Sequence, residues 1–335
     1  MAFIIKQVWE NELVLRPFVT RCVPGILIIS FSSAIIWTMI LVTGGTGFIG
    51  QYLIRHLVEI GKPVRTLLKP SLKSPNLPRG VPVQAAVCSL KDERGLRAAM
   101  KDVDIVIHLA GAERLGSRSD LEGVDVDGTR VIAQVAAQAG VERFVFLSHL
   151  GSDRASAYPV LKAKGIAENL IVQSGVNYTI FRSAPVFGPG DQFTTSLVRI
   201  LKISPFIFLM PGKGDSLLQP IWVEDLVFCI GLALDNPDAI NKIFSVGGSE
   251  YFMFNEVIEL LMRASGVQRR IVSFGPAYMR MLTLWMENTF RHFPISLFWL
   301  DYLSTDRTCP VDTLPRQFGL IPARFGQMLG YLQKG

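Results

Sequence analysis

The chain reads as an α/β protein built on a doubly wound, parallel sheet, with a small and mainly helical carboxyl-terminal lid. Three observations predict this. From Met39 to about residue 187, short apolar runs alternate with longer amphipathic stretches, the strand–helix alternation of a doubly wound sheet. The strand runs are unbroken and rich in β-branched residues, which implies burial on both faces and hence parallel pairing. A glycine-rich turn, Gly44-Gly45-Thr46-Gly47-Phe48-Ile49-Gly50, follows the first strand and opens the first helix.

The elements follow in order. Ile40–Val42 is a strand, and Gly50–Ile60 is a helix closed by Gly61, since glycine tolerates the left-handed cap conformation. Val64–Leu68 is the second strand, followed by a proline-rich loop from Lys69 to Pro82. Val83–Val87 is a strand, Asp92–Met100 a helix, Asp104–Leu109 a strand and Asp127–Ala139 a helix. Arg143–Leu147 is the fifth strand, Lys162–Ser174 a helix and Tyr178–Phe181 a strand. After Gly188-Pro189-Gly190-Asp191, a turn, Ile221–Val223 and Ile243–Val246 are expected to return as strands to the main sheet. The pattern divides into an extension over 1–38, a dinucleotide-binding domain over 39–250 and a small domain over 251–335.

Composition narrows the function. Of 335 residues, 49% are apolar and 19% charged, which excludes a disordered or fibrous chain. The net charge is +6, but Lys and Arg are scattered, with no basic stripe interleaved with aromatics. Nucleic acid is therefore not the indicated partner, whereas an anionic membrane surface remains open. The four cysteines, Cys22, Cys88, Cys229 and Cys309, form no CxxC pair, and there are only four His. No metal site is expected, and reduced thiols point to a cytosol-facing location.

The first 38 residues stand apart. No formal charge occurs from Cys22 to Ile54, and Val23–Val42 is a 20-residue apolar run. Taken alone it suggests a membrane helix. Its last residues are needed as the first strand, and Met39 stands directly before that strand. A misassigned start or an extension outside the fold, a membrane anchor and a helix packed on the domain all remain open.

The glycine turn has the spacing Gly44-x-x-Gly47-x-x-Gly50. Glycine permits the sharp turn and removes side chains that would block a pyrophosphate, while the helix amino terminus presents N–H groups to it. Following a strand and opening a helix, the turn indicates dinucleotide binding, with Gly44, Thr46, Gly47, Phe48 and Ile49 around the phosphates. An NAD-specific site wants a carboxylate at the end of the second strand. Here the strand reads Val64-Arg65-Thr66-Leu67-Leu68-Lys69. Lys69, 19 residues past Gly50, and Arg65 are candidates for a 2′-phosphate. NADP(H) is the expected cofactor, with NAD(H) the alternative.

Thr43–Gly50, His108-Leu109-Ala110-Gly111, Gly128-Thr129, Phe187-Gly188-Pro189-Gly190 and Val223-Glu224-Asp225 together resemble the extended and atypical short-chain dehydrogenase/reductases, the epimerase/dehydratase-like branch with its Rossmann fold. The resemblance runs from Met39 to the carboxyl end. Ser148-His149-Leu150 looks more narrowly like the nucleotide-binding accessory subunits of respiratory complex I and their bacterial relatives. The resemblance implies that Leu109, Ala110 and Gly111 line the adenosine ribose and that Pro185 and Val186 lie near the nicotinamide. Two positions depart from the family pattern. Ser89 replaces the usual Asp at the third strand's end and takes its place as the candidate adenine contact, and Asp125 replaces the usual Asn.

The resemblance also implies a Tyr-x-x-x-Lys pair in which Lys lowers the Tyr pKa, Tyr passes a proton while hydride moves, and a Ser orients the substrate. Tyr158 and Lys162 fit the spacing, one helical turn apart. However, Pro159 suits the first helical position, which would leave Tyr158 ahead of the helix. Family members also place a Glu four residues after the Lys, and Glu168 lies four after Lys164. In that second register Val160 occupies the Tyr position. Ser148 is the orienting candidate, and His149 beside it is a candidate acid/base.

Two functions therefore stand open. One is an oxidoreductase or epimerase/dehydratase-like enzyme with an unread substrate. The other is a non-catalytic, cofactor-stabilised module that docks on a membrane complex. The second draws on Pro276–Leu303, which carries Met281, Leu282, Trp285, Met286, Phe290, Phe293 and Trp299 with few charges. Such a stretch buries against a partner or the bilayer interface, or simply forms the lid's core.

Overall fold

The computed structural model describes residues 38–334, except 73, 114, 115, 117, 118 and 291–295. The readings made for residues 1–37 and for Phe293 lie outside the described residues. Strand β1 (Ile40–Thr43) is buried along its whole length. It lies inside a seven-stranded sheet with β2 (Val64–Leu68), β3 (Gln84–Val87), β4 (Ile105–His108), β5 (Arg143–His149), β6 (Tyr178–Ser183) and β11 (Lys242–Val246). The order is β11-β6-β5-β4-β1-β2-β3 and every pair is parallel. The chain leaves β1 toward one edge and returns at β4 to build the other. The reversal lies beside β1, so its carboxyl end opens onto the crevice where ligands of such sheets bind.

The period of two along the strands sorts their side chains. Ile40, Val42, Ile105 and Ile107 share one core with Ile54 and Leu57 of α1 (Phe48–Glu59) and with Leu226 and Ile230 of α6 (Val223–Asp235). Leu41 and Val106 point the other way, against α2 (Glu93–Ala99), α3 (Asp127–Gln138) and α4 (Pro159–Gln173). Ile54 and Leu57 are fully buried, so each contributes roughly 1.5–3 kcal/mol. Helix α1 ends at Glu59 with Ile60 as its C-cap, and Gly61 follows at φ 79°. Asp92 caps α2 by accepting from the Gly95 N–H at 3.0 Å.

A third core lies beyond the sheet. It joins α5 (Phe193–Ile203), β8 (Ile207–Pro211), α7 (Phe254–Ser265) and α9 (Leu297–Leu303), with Val160 and Leu161 of α4. Around it, β8 pairs in parallel with β13 (Arg270–Phe274), and β9 (Leu217–Leu218) pairs antiparallel with β12 (Phe252–Met253). Helices α8 (Pro276–Thr289) and α10 (Thr313–Phe318) complete the carboxyl-terminal part.

Two expectations need correction. Ile221–Val223 does not return to the main sheet. Ile221–Trp222 forms β10, paired with β7 (Val186–Phe187), and Val223 already begins α6. Helix α4 starts at Pro159 rather than Lys162, since proline at the first helical position gives up no needed N–H. Helix α3 is preceded by a π-helical turn, Leu121–Val126, whose Asp120 accepts from Gly123 N–H at 2.8 Å.

Candidate functional site: a dinucleotide cleft with a buried lysine

The glycine turn is shaped by close approach. Gly44 has φ 73°, and a Cβ there would lie 2.7 Å from the Leu109 carbonyl carbon. A Cβ on Gly50 would lie 2.3 Å from the Gly44 carbonyl oxygen, so only glycine lets α1 begin this close to β1. Gly47 differs: a Cβ there would meet only Gly44 O, at 3.2 Å. Its outer side is the open approach to the amino end of α1, where no side chain caps the first-turn N–H groups. These donors and the helix dipole suit a pyrophosphate. Thr46 is exposed beside them, Phe48 is buried and Ile49 half-buried.

His108 fixes the neighbouring strand end. Its Nδ1 lies 2.7 Å from Thr43 Oγ1 and its Nε2 3.1 Å from Thr129 Oγ1. Burial holds its pKa down at about 3, so it is a neutral clamp. It sets Leu109, Ala110 and Gly111 along one side of the turn, and Ala110 N–H donates to Thr43 Oγ1 at 3.3 Å.

The two cations of β2 separate. Lys69 is exposed directly after the strand's carboxyl end. Arg65 is held elsewhere: it donates to the carbonyls of Ala99 at 2.7 Å and Lys101 at 2.8 Å, and to Gln84 Oε1. It closes the end of α2 rather than facing the glycine turn, because its place near the start of β2 puts it toward the opposite end of the strands. Ser89 is exposed and its Oγ accepts from Lys91 N–H at 3.3 Å.

The candidate catalytic residues are also divided. Lys162 is exposed on α4, and Tyr158 precedes the helix as its N-cap in extended conformation. The expected Tyr158–Lys162 pair is therefore not assembled on one helical face. Lys164 is the buried lysine, 3% exposed, with Nζ 3.1 Å from Asp125 Oδ1 and 3.8 Å from Glu113 Oε2. It also lies over the Phe146 ring, 5.3 Å from its centroid. Burial opposes its charge, but Glu113 and Asp125 outweigh that and raise its pKa, so it stays protonated. Asp125 is fixed in turn by Ala112 N–H at 2.9 Å. One turn before Lys164 stands Val160, buried in the third core. One turn after it, Glu168 holds Arg182 through both carboxylate oxygens, with the closest contact 2.6 Å, and ties α4 to β6.

A cleft opens beside these parts; Phe48, Ile49 and Glu113 line it, whereas Lys164 and the Leu109–Gly111 segment do not. It reaches from Phe48 and Ile49 to Ser148 and His149 at the end of β5, and past Pro185 and Val186. Ser148 Oγ lies 3.0 Å from Ser152 Oγ. His149 Nε2 lies 4.0 Å from Glu113 Oε1, and burial lowers its pKa to about 4 against the opposing pull of Glu113. The imidazole is thus neutral at pH 7, packed edge-on to Tyr302 with ring centroids 5.2 Å apart.

Sequence reasoning missed Glu113, Tyr302 and Arg307. Glu113 follows β4 by five residues and carries no motif; only its place just after Ala110-Gly111 could have marked it. Arg307 is 3% exposed and donates to the carbonyls of Leu150 and Tyr302, so it ties the carboxyl-terminal part to the loop after β5. Such a role is set by tertiary contact across 157 residues. Among the described residues no cluster of His, Cys, Asp and Glu could hold a metal, and Cys88, Cys229 and Cys309 are buried free thiols.

Comparison with known proteins gives three kinds of likeness. The profile of the NAD dependent epimerase/dehydratase family matches residues 40–247. Subunit 9 of the NADH dehydrogenase [ubiquinone] 1 alpha subcomplex, mitochondrial, of Rattus norvegicus is 30% identical over 223 residues, 64% of this chain and 58% of that protein. The ceramide reductase of Caulobacter vibrioides is 29% identical over 189 residues, 56% of this chain and 58% of that protein. The matches thus span under two thirds of these relatives' length. Among solved structures, a UDP-glucose 4-epimerase from Thermus thermophilus, in complex with NAD, superposes with a TM-score of 0.66 at 21% identity, over 89% of this chain and 98% of that one. It shares the fold.

Proposed function

The chain belongs to the NAD dependent epimerase/dehydratase family, and from that premise we propose that it holds NADP(H) as a resident dinucleotide without the family's tyrosine-dependent turnover. The observation that carries this reading is the register of α4. Lys164, not Lys162, is buried between Asp125 and Glu113, and Val160 stands where the tyrosine would be. A nicotinamide cofactor supplies hydride chemistry when bound, but Val160 has no proton to give.

The residues fit the cofactor. The open side of Gly47 and the amino end of α1 would take the pyrophosphate, with Gly44, Thr46, Phe48 and Ile49 shaping its seat. Leu109, Ala110 and Gly111 would border the adenosine ribose, and Ser89 would lie by the adenine. Pro185 and Val186, with Ser148 and His149, would border the nicotinamide. Lys69, exposed at the end of β2 where no carboxylate stands, supports a 2′-phosphate and hence NADP(H) over NAD(H).

The relatives' names support two different roles. The rat protein is a subunit of an NADH dehydrogenase, so a place on a multi-subunit assembly fits this chain also. The exposed Tyr278, Met281, Trp285 and Phe290 of the α8 segment offer an apolar face for docking at the cytosol side of a membrane complex. Among the described residues no helix is long and apolar enough to cross a membrane. The Caulobacter protein is a reductase. A second, catalytic reading rests on His149, a neutral imidazole lining the cleft 4.0 Å from Glu113.

Mass spectrometry of nucleotide co-purifying with the full chain tests the proposal. Near-stoichiometric NADP(H), equally retained by Tyr158→Phe, is the expected result. NAD(H) alone would overturn the cofactor choice. Turnover of a carbonyl or sugar-nucleotide substrate that vanishes in Tyr158→Phe would overturn the non-catalytic reading, and turnover that vanishes only in His149→Asn would establish the second one.

A further inference from the structure

A larger cavity adjoins the cleft. It offers about 250 Å³, near the lower end of the roughly 300–1,000 Å³ typical of small-molecule sites. It is enclosed by α5, β8, α8 and α9, and it shares Gln192, Phe193 and Trp299 with the dinucleotide cleft. Among its described lining residues there is no Asp, Glu, Lys, Arg or His. Leu197, Ile200, Phe208, Leu282, Met286 and Leu303 are typical of its wall. Ile203 lines it yet is 66% exposed, which places an opening at the end of α5. Phe206, three residues on, is 79% exposed.

This chemistry is selective. A nucleoside diphosphate needs cations or clustered N–H donors for its phosphates, and a sugar needs partners for each hydroxyl it buries. The described wall has no cation, and beyond Gln192 its polar side chains are the hydroxyls of Ser196, Ser204 and Thr283 in an otherwise apolar lining, too few for a buried sugar. An apolar cavity takes apolar ligands and excludes water. At its junction with the cleft, the polar group is Gln192, an uncharged donor and acceptor. Beyond the junction lie neutral His149 and the cluster of Glu113, Asp125 and Lys164, two carboxylates to one cation, which does not favour an anionic head.

We propose that this cavity binds one long hydrocarbon chain whose small, uncharged polar head lies at Gln192 and faces the dinucleotide cleft. The ligand class is a single-chain neutral amphiphile, such as a fatty alcohol, aldehyde or amide, and not a nucleotide sugar. The site goes beyond the cofactor reading and requires no turnover. Loss of chain binding with dinucleotide retained would sink this inference alone.

The test uses the full chain and a hexadecanol carrying bromine at mid-chain, a short-range quencher of tryptophan. Saturable quenching with one probe per chain is expected, lost in Trp299→Phe and kept in Trp285→Phe, whose side chain lies on the exposed face of α8. Ile200→Glu should weaken binding at least tenfold. Its retention of dinucleotide shows that it has folded, and Trp299→Phe provides a conservative check should it not. Palmitate should bind at least tenfold more weakly than the alcohol. Non-saturating quenching, quenching unchanged in Trp299→Phe, or displacement of the probe by UDP-glucose would overturn the proposal.

Discussion

The amino end of α1 and the helix α4 differ in what holds their geometry. At α1 the shape is made by backbone: Gly44 at positive φ, Gly50 pressed against Gly44, and a helix terminus without a capping side chain. At α4 the shape is made by side chains: one buried cation between two carboxylates, locked by Glu168 onto Arg182. Binding a phosphate asks only for the first kind of site. Proton transfer asks for one particular side chain at one position of the second, and there the chain has Val160. The difference teaches that a seat shaped by backbone and a site shaped by one side chain can change independently: a shift of register on α4 alters the second and leaves the first in place.

The comparison can be broken most sharply at Lys164. Lys164→Met leaves Asp125 and Glu113 facing each other without their cation, and unfolding by denaturant should show a loss of about 3–5 kcal/mol. A loss below about 1 kcal/mol would show that the cluster does not organise α4.

Acid should come next. His108 and His149 are neutral in the fold, with pKa values of about 3 and about 4. The unfolded chain takes up protons below about 6.5, so stability is complete above that pH and falls as pH drops toward 4. For His149 the full effect is on the order of 3 kcal/mol. The melting temperature should fall between pH 7 and 4.5, and His149→Asn should flatten part of the fall. An unchanged melting temperature across that window would show that neither imidazole is held neutral.

At the other end of the cleft, Gly44→Ala forces a Cβ into the Leu109 backbone at a left-handed φ. The strain alone is about 1–2 kcal/mol, and co-purified dinucleotide should fall below a tenth of the wild-type amount. Lys69→Ala should lower the preference for NADP(H) over NAD(H) about tenfold, or about 1.4 kcal/mol, measured by competitive binding. Arg65→Ala should leave that ratio unchanged. Smallest of all, Lys162→Met should change stability by less than about 0.5 kcal/mol, because its side chain is exposed.

Much of this was legible before the structure. The doubly wound, parallel sheet followed from alternation and burial, and Gly44–Gly50 announced its turn because backbone constraints leave glycine at fixed spacings. The register of α4 was half legible: Pro159 and the Lys164–Glu168 spacing pointed to it, but Tyr158 and Lys162 offered an equally regular spacing. Only burial separates Lys164 from Lys162. Arg65 looked like a cofactor cation because it lies in the second strand; its carbonyl partners at the end of α2 are distant in sequence. Glu113 and Arg307 carry no local pattern, since their roles come from tertiary contacts. The strand at Ile221 was read correctly as a strand but assigned to the wrong sheet, because pairing depends on where β7 runs.

The central claim, a cofactor held without tyrosine-dependent turnover, is tested most directly by isotope retention. The full chain is loaded with NADPH deuterated at the transferable position of nicotinamide C4 and incubated with the small-molecule fraction of a cell lysate. Loss of label is then followed by mass spectrometry in wild type and in Tyr158→Phe. The account predicts that the label stays and that the two proteins behave alike. Rapid loss in wild type that disappears in Tyr158→Phe would contradict it.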